Sequence, residues 1–171
     1  WRKGGDMLPD ILNRLPERIL KNCFVALFGG DMDKLLVNLP VPGKSFGFLS
    51  SERSKAALYA AADVLLFPSR SANLPFVPME AMACGLPSVG FDAGGTGELI
   101  IHEKTGMLVK AFDIDSFSQE VGRLVEDQVL RLRLEEESRT LAVNRYSLKA
   151  MADGYLRLYE GSIETGIGLV K

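Results

Sequence analysis

Apolar residues recur with a helical period at Met7, Leu8, Ile11, Leu12 and Leu15, then give way to short apolar runs that alternate with further helical stretches. The first run, residues 23–28, ends on Gly29-Gly30, the pattern of a buried parallel strand opening into a loop. A weaker strand is predicted near residues 45–49, after a stretch broken by Pro40, Pro42 and Gly43. Ser50 or Ser51 can cap a helix that carries Ala56, Ala57, Tyr59 and Ala60. Residues 64–67 form the next buried strand, stopped by Pro68. A helix over 76–84, stopped by Gly85, leads to a strand at 88–91 and a loop at 92–97. A short helix from Glu98 and a turn at 103–106 precede a strand at 107–109. Asp113 or Asp115 then caps a helix with Ile114, Phe117, Val121, Leu124 and Val125 on one face, and two more helices close the chain. Residues 161–171 show no period.

Strands alternating with helices at this spacing predict an α/β fold built on a doubly wound parallel sheet. With 171 residues the chain forms one domain, residues 1–171, burying roughly two-thirds of the surface its unfolded form exposes. The chain begins without a methionine and enters a helix almost at once, so a strand expected before that helix is missing. That reads as a piece of a longer protein.

Composition narrows the partners. Twenty basic against 22 acidic side chains give a net charge of -2, with no Lys/Arg cluster dense enough for nucleic acid. No apolar run reaches the roughly 18 residues of a membrane span and no signal peptide opens the chain, which predicts a cytoplasmic protein. Cys23 and Cys84 sit in apolar segments without metal-ligand spacing and read as buried thiols in a reducing compartment. No His/carboxylate cluster with metal-ligand spacing stands near the strand ends, so no metal cofactor is expected.

In an open parallel sheet ligands bind at the carboxyl ends of the strands. Three loops there carry polar or glycine-rich chemistry: Gly29-Gly30, residues 69–75, and residues 92–97. The helix after the second loop starts close to Pro75, so free N–H groups of Phe76, Val77 and Met79 and the positive end of its dipole face the crevice, where a phosphate would be held. Pro78 removes one donor. Glu80 stands in a helix otherwise made of Met, Ala and Cys, where a bare carboxylate is expensive unless a ligand or hydrogen-bond partner meets it. His102, in a polar turn, and the Glu135-Glu136-Glu137 run read as surface features.

The segment PFVPMEAMACGLPSVGFDAGGTGELI, with ADVLLFPS before it and HEKTGMLV after it, resembles the carboxyl-terminal, donor-binding domain of retaining glycosyltransferases with the GT-B fold, a Rossmann-like architecture. The similarity runs from Arg2-Lys3-Gly4 to the helix of Tyr159. It implies a hexosyltransferase-type enzyme that takes a nucleoside-diphosphate sugar as donor and needs no metal. The acceptor, a glycan, a lipid-linked or a small molecule, would be met through an amino-terminal domain, and the intact enzyme would be able to associate peripherally with a membrane. By the same resemblance Glu80 hydrogen-bonds the ribose hydroxyls and Lys3 contacts the diphosphate. Backbone groups of Leu74, Phe76 and Val77, and of Gly94 and Gly95, approach the phosphates and sugar. Gly29-Gly30 is placed by its position at a strand end, either against the base or as an ordinary strand-end turn.

The departures from the family pattern are specific. A second acidic residue, which in the family reaches hydroxyls of the donor sugar, is replaced by Ala72. An Arg ahead of the Lys-Gly motif would fall before Trp1, as would the amino-terminal domain that in the family supplies the acceptor site and a catalytic histidine or carboxylate, so no catalytic residue is assigned and the piece alone is expected to be inactive. Two other readings fit the same architecture. One is a sugar-nucleotide epimerase, and the other a non-catalytic nucleotide-sugar binding protein.

Overall fold

The computed structural model describes residues 2–30 and 32–164. A 3-10 turn, Gly5–Met7, leads into helix α1, Leu8–Asn13. Helix α2, Glu17–Leu20, follows, then strand β1, Val25–Leu27, helix α3, Asp33–Leu36, and strand β2, Gly43–Ser45. Helix α4, Glu52–Ala60, is capped by Ser51, whose hydroxyl accepts from the Ser54 amide at 3.4 Å. Strand β3, Leu65–Phe67, helix α5, Phe76–Ala83, and strand β4, Ser88–Asp92, form the next unit. After a second 3-10 turn, Gly94–Glu98, come strand β5, Gly106–Lys110, and helices α6, Ile114–Glu126, α7, Gln128–Tyr146, and α8, Leu148–Glu164. Asp113, not Asp115, caps α6. Beyond residue 164 the tail lies outside the described residues.

Every ladder among the described residues is parallel, as the alternation of elements predicts. They form two sheets: β1 with β2, Val25 opposite Gly43, and β3-β4-β5, with Leu65 opposite Ser88 and Ser88 opposite Gly106. Both rest on one core. Ile11, Leu12, Leu15 and Ile19 from the first helices meet Phe91 and Val89 of β4 and Phe117, Val121 and Leu124 of α6. The Phe91 and Phe117 rings pack 4.9 Å apart, and the buried Ser118 hydroxyl donates to the Ile11 carbonyl at 2.8 Å. Thr105 and Ser138 tie the turn before β5 to α7 through a 3.0 Å bond from the Ser138 hydroxyl to the Thr105 carbonyl.

Three expectations shift. The run at 23–28 is not fully buried: Phe24 is 61% exposed and Ala26 is exposed, because only one face of β1 is covered. Strand β2 lies two residues ahead of the predicted 45–49, since the Val25 amide donates to Pro42 and starts the ladder there; the Phe46 amide still donates to Leu27. The helix expected from Glu98 ends there instead. Thr96, buried and donating its hydroxyl to the Ala93 carbonyl at 2.8 Å, winds residues 94–98 into the 3-10 turn. Gly85, at φ 77°, stops α5 as predicted, with the Leu86 amide returning to the Ala81 carbonyl.

Candidate functional site

The start of α5 opens on a cavity of about 410 Å³ whose walls include Arg2, Lys3, Asn73, Leu74, Phe76 and Val77. A helix N-terminus presents unpaired amides and positive dipole charge, and two flanking cations add to that field. Such a notch accepts a di-anion through backbone and side chain together. Of the residues predicted for phosphate contact, Lys3, Leu74, Phe76 and Val77 are brought together here. Arg2 is an additional one.

The segment carrying Lys3 is held against the loop before α5. The Arg2 carbonyl accepts from the Arg70 amide at 3.0 Å, and the Arg70 guanidinium forks onto the Asp6 carboxylate at 2.7 and 2.6 Å. Gly4 sits at φ 73°, and a Cβ there would lie 1.8 Å from the Pro68 carbonyl oxygen. The Arg70 hydrogen bond holds the Asp6 carboxyl below its ordinary value of 3.8. A carboxylate whose pKa is depressed on folding stabilises above its unfolded pKa, and that contribution is lost as pH falls through the folded value. The tie is therefore complete at neutral pH. Asp6→Asn is expected to weaken binding of a diphosphate at pH 7, and titration of the wild type below pH 4 should reproduce that weakening.

Gly94 and Gly95 serve packing. A Cβ on Gly94 would stand 2.3 Å from the Ala72 carbonyl oxygen, and one on Gly95 would stand 1.6 Å from that of Asn73. The Gly95 amide donates to the Ala72 carbonyl at 2.7 Å, so it is engaged within the protein rather than directed at a phosphate, which corrects the expectation for that group. Ala72 itself packs on Phe67 and Ile100 while bordering the cavity. The two loops behave as one wall.

Glu80 lies farther along α5, on the side facing α4. Lys55 Nζ donates to its Oε1 at 3.0 Å and the Tyr59 hydroxyl donates to its Oε2 at 2.9 Å. The carboxylate that the sequence shows among apolar neighbours thus has partners inside the protein, and its side chain is 32% exposed. Lys55 also reaches Glu52 at 2.8 Å, and its hydrogen bonds to Glu52 and Glu80 push its pKa up. Burial, with the hydrogen bond to Glu80, pushes the Tyr59 hydroxyl up. Tyr59 packs edge-on to Phe28 with ring centroids 5.5 Å apart. Gly29 and Gly30 follow Phe28 at φ 101° and 115°, exposed and with open space around each.

Sequence reasoning passes over Arg2 and Lys55. Lys55 stands four residues before Tyr59 in an alanine-rich helix, so the pair shares a face, but nothing in the pattern names Glu80 as the group that face meets. His102 accepts the Leu108 amide at Nδ1 at 3.3 Å and bridges to Gly106 in the turn. Cys23 and Cys84 are free thiols, half-buried rather than fully so, and burial raises both pKa values. Among the described residues no three His, Cys, Asp or Glu side chains cluster as metal ligands, and no helix is long and apolar enough to cross a membrane.

Residues 1–141 match the family model described as Glycosyl transferases group 1. D-inositol 3-phosphate glycosyltransferase of Xylanimonas cellulosilytica is 29% identical over 92% of this chain and 39% of its own length. N-acetyl-alpha-D-glucosaminyl L-malate synthase of Bacillus anthracis is 29% identical over 74% and 33%. Sucrose-phosphate synthase of Thermosynechococcus elongatus superposes with a TM-score of 0.80 at 24% identity, over 96% of this chain and 43% of that one. HepE of Anabaena, solved in complex with UDP, gives 0.80 at 21% identity, over 94% and 46%. The chain spans a third to under half the length of these relatives. With the matched segment holding the α5 notch, Glu80 and the paired glycine loop, the chain belongs to the group 1 glycosyl transferases and has the Rossmann-like α/β fold of GT-B glycosyltransferases.

Proposed function

We propose that this chain binds the nucleoside-diphosphate sugar of a retaining glycosyltransferase that passes a hexose to a glycan, lipid-linked or small acceptor. The observation that carries the reading is the cavity at the start of α5, walled by two cations and by the first turn of that helix, with a carboxylate on the same helix. On this reading the diphosphate occupies the notch and Glu80 accepts from ribose hydroxyls. Negative charge that develops on the leaving diphosphate is stabilised by Lys3, Arg2 and the amides of Phe76 and Val77. No divalent ion enters, because that field already neutralises the charge. The acceptor is met by protein outside this chain, and the half-buried thiols fit a cytoplasmic setting.

Calorimetry with UDP, GDP and ADP tests the reading. One of them is expected to bind, more tightly than its monophosphate, and absence of heat from all three overturns it. HepE's complex with UDP makes UDP the first probe. Glu80→Gln is expected to weaken the ribonucleotide by roughly ten- to hundred-fold, the size of one or two hydrogen bonds to a charged group. Its affinity for the 2′,3′-dideoxy analogue should stay unchanged. Chelator is expected to leave binding intact; loss on chelation and recovery with manganese would exclude the metal-free scheme. With the intact enzyme, a labelled nucleotide sugar distinguishes transfer to acceptor from isomerised donor.

A further inference from the structure

We infer that Lys55 and Tyr59 are positioning residues that hold the Glu80 carboxylate as a fixed hydrogen-bond acceptor for a vicinal diol. The inference rests on the donor-site reading above and names two residues in it that nothing else assigns. Each takes a different carboxylate oxygen: Lys55 Nζ reaches Oε1 at 3.0 Å and the Tyr59 hydroxyl reaches Oε2 at 2.9 Å. Two anchors on two oxygens fix both the position and the rotation of the carboxylate plane, which one anchor leaves free. An ionised carboxylate has about four acceptor sites, so two remain for a ligand, one on each oxygen.

The anchors are themselves held. Tyr59 is 3% exposed, its ring packs on Phe28, and Ala81 and Leu86 of the α5 segment close around it. The Lys55 side chain is 19% exposed and is pinned from the other side by Glu52 at 2.8 Å. Both stand on α4 and the carboxylate on α5, so the contact also sets the spacing of the two helices at this point. A pre-ordered acceptor recognises a diol with less loss of side-chain freedom than a mobile one. Selectivity then follows from chemistry. A neighbouring pair of hydroxyls can donate to both oxygens, whereas a deoxy ribose leaves one or both acceptors unmatched.

The experiment measures binding of UDP and of 2′,3′-dideoxy-UDP to the wild-type chain and to Lys55→Met, Tyr59→Phe and Glu80→Gln. Tyr59→Phe keeps the ring and removes only the hydroxyl. Thermal melts screen for folding. If Lys55→Met proves unfolded, Lys55→Gln, which keeps a donor of shorter reach, replaces it. The ratio of the two affinities is expected to fall by about tenfold in the Lys55 variant and several-fold in Tyr59→Phe, with affinity for the dideoxy compound little changed. In the Glu80→Gln background, Lys55→Met should change the ratio no further. A purely structural role would weaken both ligands together and leave the ratio standing, and that result overturns the inference while sparing the donor site. Wild-type protein that binds UDP without preferring ribose overturns Glu80's role and the inference with it. Wild-type protein that binds no nucleotide overturns the donor-site reading, and the two failures are separated by this wild-type measurement.

Discussion

Gly95→Ala is expected to lower the melting temperature by roughly 6–12 °C, from an over-packing penalty of about 3 kcal/mol, the upper part of the usual range. The added methyl would stand 1.6 Å from the Asn73 carbonyl oxygen, which is backbone and cannot swing aside. Either loop 92–97 or loop 69–75 must move, and the Gly95 to Ala72 hydrogen bond of 2.7 Å breaks with it. The second loop leads into the first turn of α5, so UDP affinity should fall alongside stability. Gly30→Ala is the control: it too loses a glycine in a strand-end loop, at φ 115°, but meets nothing within 4 Å. Only the conformational strain remains there, about 1–2 kcal/mol. Equal melting temperatures for the two variants would show that the loops do not touch as described.

The second large effect lies under the sheet. Phe91→Ala should cost about 3–5 kcal/mol, because it removes a fully buried ring from the middle of the β3-β4-β5 sheet and leaves a cavity against Phe117. For a chain of marginal stability that is a large share of the total. Phe91→Leu keeps most of the volume and should recover more than half of the loss. Denaturant titration distinguishes the two, and a loss below about 1 kcal/mol for alanine would contradict the packing of α6 on β4.

Much of this was legible in the chain. The alternation of apolar runs with helical periods locates the elements, since a parallel sheet needs a crossover between strands, and Gly85 marks the end of α5 because only a residue free at positive φ stops a helix there. Side-chain chemistry marks two helix starts, at Ser50 or Ser51 and at Asp113 or Asp115, and the structure selects Ser51 and Asp113. What pattern cannot carry is pairing across the fold. The run at residues 23–28 reads as buried because each of its side chains is apolar, yet whether both faces are covered depends on neighbours distant in sequence, and here one is not. The register of β2 follows from the Val25 to Pro42 hydrogen bond, which composition does not encode. Glu80 illustrates the same limit. Its apolar neighbours along α5 point to a compensating partner, but the partners are 25 and 21 positions away on another helix. The family resemblance places Gly94-Gly95 at the phosphates, while the contact that demands glycine is with Ala72 and Asn73.

The α5 helix sets a length standard as well as a charge. Its exposed amides begin at Phe76 and its carboxylate stands at Glu80, four residues and about 6 Å along a rigid axis. A ligand that fills both ends must itself carry an anion and a diol separated by a matching span. On the donor-site reading, a free pyrophosphate would fill the notch and leave the carboxylate unmet, and a nucleoside without phosphate would do the reverse. On that reading the helix would discriminate by dimension, and removing either the phosphates or the ribose from the ligand should lose one end of the contact rather than weaken both.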